Sequence, residues 1–84
     1  MDKVVKCVLL DVDNVLITEI VEIMADVGEP DCKLIKPYQF FGVDDMRPWP
    51  KASNQTEVMI SSDKILTIAD PTAEVIEKYL ELTA

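Results

Sequence analysis

The sequence predicts a mainly β domain: a small five-stranded barrel followed by one C-terminal α-helix. Three observations lead there. Short β-branched and apolar runs recur along residues 4–69, separated by turns rich in Asp, Gly, Pro and Ser. Residues 71–82 carry both a helix-start signal and helical apolar spacing. With 84 residues the chain holds one domain, 1–84, and a sheet of short strands in so small a domain must close or nearly close to protect its edges.

Val4 to Leu10 is an apolar run broken only by Lys6, and it reads as the first strand. Asp11-Val12-Asp13-Asn14 is a turn, because Asp and Asn bond their own backbone and tolerate turn geometry. In Val15 to Val27 two periods compete. Ile17, Ile20, Val21 and Met24 fit helical spacing, whereas Val15, Ile17, Val21, Ile23, Ala25 and Val27 fit strand alternation. Val15, Ile17, Thr18, Ile20, Val21, Ile23 and Val27 are β-branched, stiff in a helix and well suited to a pleated surface, so the segment is read as one long, bent strand.

Gly28-Glu29-Pro30-Asp31 is the next turn, and Cys32 to Phe41 the third strand. Pro37 has no amide hydrogen, which places that stretch at an edge or at the end of the pairing. Residues 42–56 read as the longest loop. Glu57–Ile60 and Ile65–Ala69 read as a hairpin joined by Ser61-Ser62-Asp63-Lys64. Asp70 is the expected N-cap and Pro71 the first helical residue. Ala73, Ile76, Tyr79, Leu80 and Thr83 make the expected buried face, and Glu74 with Lys78 an i,i+4 pair on the wet one.

Apolar residues make up 49% of the chain, enough for a core, but a domain of this size buries only roughly 60% of its unfolded surface. A partner subunit covering part of the apolar surface is therefore expected, with a marginal monomer as the alternative. The net charge of −8, from 16 acidic and 8 basic residues, disfavours non-specific binding to DNA, RNA or anionic membranes. The chain has no histidine, which excludes a Cys/His zinc site, a Ser-His-Asp triad and a Cys-His dyad. Cys7 and Cys32 lack CxxC spacing and read as buried free thiols, with a disulfide as the alternative. No apolar stretch reaches membrane-spanning length and no signal peptide is seen, so a cytoplasmic protein without metal or cofactor is expected.

Tyr38, Phe40, Phe41 and Trp49 read as core or interface residues before they read as a stacking platform for bases. Pro48-Trp49-Pro50, flanked by Arg47 and Lys51, is the one place where basic and aromatic residues interleave; Trp49 there either docks on a partner or staples its own loop. The stretch Val8-Leu9-Leu10-Asp11-Val12-Asp13-Asn14-Val15 resembles the first motif of the haloacid-dehalogenase phosphatases, with Asp11 as nucleophile and Asp13 as general acid/base. The acidic pair Asp44-Asp45 precedes Ser61, the wrong order for that superfamily, and the chain is too short for its alternating helices. A plain turn is the preferred reading of Asp11 and Asp13, and no enzyme activity is expected.

Glu57-Val58-Met59-Ile60-Ser61-Ser62-Asp63-Lys64-Ile65-Leu66-Thr67-Ile68 resembles the second signature of the Sm-like (LSm/Hfq-type) family, two short apolar strands around a tight polar turn. The long second strand, the turn at Gly28 to Asp31 and the third strand correspond loosely to the first signature, so the likeness spans residues 4–69. It is strongest to short Sm-like proteins of marine phage and bacterial metagenomes, which would place a viral copy in the host cytoplasm. The chain departs from the pattern in three ways: its helix is C-terminal, its first signature lacks the Asn, and Ser61-Ser62-Asp63-Lys64 replaces the Arg-Gly or Lys-His pair.

What the resemblance implies is a homo-oligomeric ring, pentamer to heptamer, in which the fourth strand of one copy pairs with the fifth of the next. Val58, Met59, Ile60, Ile65, Leu66 and Ile68 would form that interface. It also implies single-stranded RNA at the pore loops, on Asp31, Lys33, Ser61, Ser62 and Lys64. An acidic structural or protein-interaction module without nucleic acid is the alternative.

Overall fold

A computed structural model describes residues 4–50, 53 and 55–84. The strands are β1 (Val5–Leu9), β2 (Val15–Glu22), β3 (Cys32–Gly42), β4 (Asp45–Pro48), β5 (Glu57–Ile60) and β6 (Thr67–Ala69), and the helix α1 spans Ala73–Thr83. A single 3₁₀ turn, Ser62–Lys64, separates β5 from β6. The fold is thus mainly β with a C-terminal helix, but its sheet has six strands where five were expected. All pairings are antiparallel: β4, β3, β2, β1 and β6 lie in that order, and β5 pairs with β3. Among the described residues β5 and β6 do not pair with each other, so the sheet is open.

Three expectations are corrected here. Residues 57–69 are not a hairpin: β5 joins β3 through Leu34↔Val58, while β6 crosses to β1 through Val8↔Ile68. The long strand ends at Glu22, and the chain then runs irregularly to a turn at Val27–Gly28. The 42–56 loop contains β4, which folds back on β3 through Phe40↔Met46.

β3 organises the sheet, because its two ends have different partners on one side: β5 along residues 32–35 and β4 along 38–42. The change occurs at Lys36–Pro37. There β3 carries two residues against the single Thr18 of β2, a β-bulge between the pairs Ile17↔Tyr38 and Glu19↔Ile35. Pro37 has no ladder hydrogen to lose, and Lys36 takes a left-handed φ of 52°. A non-glycine residue holds that φ only when its surroundings over-determine it. They do so here. The Lys36 amide donates to the Thr56 carbonyl, and its ammonium donates to the Thr83 carbonyl at the end of α1. The Tyr79 hydroxyl lies 2.9 Å from the Lys36 carbonyl and 3.1 Å from that of Ile35. Pro37 therefore ends the pairing within a central strand and does not mark a sheet edge.

Side chains alternate across the strands and build two cores. Val5 and Ile17 pack with Val75 and Tyr79 of α1, and Tyr38, Phe40 and Met46 lean on that cluster. Val8, Leu16 and Leu34 form the other, against which Ile20, Trp49, Ile60 and Ile65 pack. Leu16 and Ile17 are sequence neighbours in different clusters, so the cores lie on opposite faces of the sheet.

Thr72, not Asp70, caps the helix; its hydroxyl accepts from the Val75 amide at 3.4 Å. Pro71 stands outside the helix, and Asp70 instead pairs with Lys6. The buried face is Val75, Tyr79 and Thr83 with Ile76 beside it, whereas Ala73 and Leu80 are exposed. Lys78 reaches Asp44 and Glu81, not Glu74.

Candidate interaction surfaces

The three outer strands present different edges. β4 is blunted: a bulge interrupts its pairing between Phe40 and Gly42, Pro48 ends it, and Arg47 and Asp45 form an ion pair at 3.0 Å. β5 and β6 carry no proline, and each has one paired side and one without a partner among the described residues. The expected interface residues divide between them by alternation. Ile60 and Ile65 pack inward on the second core, and Val58 is half-buried. Met59, Leu66 and Ile68 face out, 44%, 65% and 46% exposed. An apolar hollow of about 430 Å³ opens between β6 and the far ends of β2 and β3, over Ile20, Cys32, Ile65 and Ile68.

The expected RNA contacts cluster only in part. Asp31, the residue before β3, reaches the 3₁₀ turn: its carboxylate accepts from the Ser62 amide at 2.7 Å and from the Ser62 hydroxyl at 2.8 Å. The Ser62 amide holds the Asp31 carboxyl below the usual carboxylate range, with the hydroxyl adding to it. The loop before β3 and the turn after β5 thus meet, bringing Asp31, Ser61 and Ser62 together. Lys33 lies on β3 and is paired with Glu57 at 3.0 Å. Lys64 is exposed on the 3₁₀ turn, with no carboxylate within ion-pair distance among the described residues.

The Asp11 motif is a hairpin turn between β1 and β2. The Asp11 carboxylate accepts from the amides of Asp13 and Asn14 at 2.8 and 2.9 Å and from the Asn14 side chain at 2.8 Å. The Asn14 side-chain bond is the main cause of its lowered pKa. Gln39 of β3 donates in turn to Asn14 at 3.0 Å, tying the hairpin to the neighbouring strand. These bonds are what an Asx-type turn requires. No cluster of three or more His, Cys, Asp or Glu side chains able to hold a metal ion occurs among the described residues. Cys7 and Cys32 are free thiols, raised in pKa chiefly by burial.

Trp49 staples its own segment. It packs on the second core, and its amide donates to the Pro37 carbonyl at 3.0 Å. Arg47 lies 4.8 Å over the ring of exposed Phe41, and Lys51 falls outside the described residues. Two features were missed at the sequence level. Tyr79 holds the bulge, a role that only the distant carbonyls reveal. The stretch beyond β2 leaves Met24 and Val27 fully exposed where a continuous strand was expected, a break that Gly28 and Pro30 could have placed earlier.

No helix among the described residues is long and apolar enough to cross a membrane. No curated protein matches the chain. A family described as of unknown function (DUF6561) matches residues 3–84, and the chain belongs to that family.

Proposed function

We propose that this family member is a ring-forming Sm-like module that acts by binding rather than by catalysis. The single observation that carries the reading is the relation of β5 to β6. They are consecutive in the chain, joined by a 3₁₀ turn, unpaired with each other, and lined outside by Met59, Leu66 and Ile68. In such a ring, β5 of one copy would add to β6 of the next, satisfying both edges and covering those side chains. The partly open SH3-type barrel of the Sm-like fold is the architecture this strand order supports best. The hydrogen-bonded duties of Asp11 favour a non-catalytic role for its turn.

For the ligand, single-stranded RNA at the ring's centre rests on the Sm-like resemblance, the loops that would hold it meeting at Asp31 and Ser62. The charge favours an acidic protein-interaction module, since Lys33 is already paired with Glu57 and the chain carries −8. The second reading has the stronger support.

Light scattering coupled to size-exclusion chromatography tests the ring. A mass of five to seven protomers is expected, reduced to one protomer by Met59→Arg together with Ile68→Arg, both at exposed positions. A single 9.4 kDa species for the unmodified chain removes the ring. Fluorescence anisotropy with oligo-U and oligo-A, at low salt, then separates the ligands. Binding in the micromolar range supports RNA, and its absence leaves the protein-interaction reading.

A further inference from the structure

Beyond β2 the chain still follows β3 for one step, with the Ile23 amide donating to the Asp31 carbonyl at 2.9 Å. It then closes in a tight turn: the Glu29 amide donates to the Asp26 carbonyl at 3.0 Å, and Gly28 takes a φ of 91°, open to glycine at no steric cost. This tip carries Met24 and Val27, both fully exposed, next to Val21 at the end of β2, 43% exposed, and a shallow hollow of about 240 Å³ opens beside Met24. Met24 and Val27 project wholly into solvent, with no cover from the rest of the chain. The tip's charges are of one sign: Glu22, Asp26 and Glu29 have no cationic partner within ion-pair distance among the described residues.

We propose that this tip docks a basic amphipathic segment of a partner protein. Its apolar side chains would lie against Val21, Met24 and Val27, and its Lys or Arg residues against Glu22, Asp26 and Glu29. Charge chooses the occupant. An anionic vesicle and RNA both bring like charge to the carboxylates. A simple cation has no use for the valines. A flexible Met side chain on such a surface accommodates varied apolar partners. The proposal does not require the ring, since each protomer carries its own tip.

The probe is a fluorescein-labelled 14-residue helix-forming peptide of leucine and lysine, read by anisotropy against the full chain at low and physiological salt. An equal-length leucine/glutamate peptide, oligo-U and phosphatidylserine vesicles are the comparison probes. Saturable binding of the lysine peptide alone is expected. Asp26→Asn with Glu29→Gln should weaken it about fivefold, two exposed ion pairs' worth, and flatten its salt dependence. Met24→Ser with Val27→Ser should weaken it at both salt concentrations. These four positions are solvent-facing, and circular dichroism checks that the variants fold. No binding of the lysine peptide overturns the proposal. So does binding indifferent to Met24→Ser with Val27→Ser, which would show charge attraction only. Oligo-U binding lost in those same variants would assign the tip to RNA instead.

Discussion

At the scale of single residues, two acidic side chains act as local braces. Asp11 ties a hairpin turn and Asp31 ties the start of β3 to the 3₁₀ turn, each through backbone amides that prefer a charged acceptor. Both carboxyls are thereby lowered from their ordinary pKa. A lowered folded-state value means a contribution that is present above the unfolded pKa, about 3.9, and is lost as pH falls through the folded one. Asp31→Asn keeps the shape and removes the charge. Urea unfolding of the two forms should show a stability gap at pH 6 that narrows below about pH 4; a gap constant down to pH 2 would deny Asp31 this role. Asp11, Asp31 and Ser62 were all legible in the sequence as turn or loop residues. That Asp31 and Ser62 hold each other was not, because the bond spans 31 residues and depends on where β5 lands.

At the scale of elements, local pattern and tertiary pairing separate cleanly. β1, β2 and α1 were legible because their β-branched or helical periods are strong and their partners near. β4 was not: Asp45-Met46-Arg47-Pro48 has little strand preference, and its pairing with β3 makes it a strand. Glu57–Ile60 and Thr67–Ala69 were legible as strands but not as strangers to one another, since a four-residue gap between apolar runs reads as a hairpin until the competing partners are known. The bulge shows the same limit, for nothing in Lys36 announces a left-handed φ. What sustains it is α1, through the Tyr79 hydroxyl. Tyr79 is fully buried, and its burial pushes the phenol above its ordinary pKa. Tyr79→Phe should therefore lower unfolding free energy by about 1–2 kcal/mol, since the Lys36 carbonyl loses its hydroxyl donor while that of Ile35 keeps the Thr18 hydroxyl. Chemical denaturation measures it, and a neutral result would mean that the other contacts hold the bulge alone.

At the scale of the molecule, two thin cores share one sheet, and a surplus of negative charge surrounds them. The few ion pairs among the described residues, Lys6–Asp70, Lys33–Glu57, Arg47–Asp45 and those of Lys78 with Asp44 and Glu81, are exposed or partly so and contribute little. Repulsion among the remaining carboxylates is the larger effect, and salt screens it. The melting temperature should consequently rise between 10 mM and 300 mM sodium chloride, as calorimetry can check; a fall would place the balance with the ion pairs. The kink in β3 also bears on how the chain is made. Tyr79 lies 44 residues beyond the carbonyl of Ile35. The strands precede α1 in the chain, so during synthesis the bend in β3 gains the Tyr79 brace only after every one of its neighbours has been made.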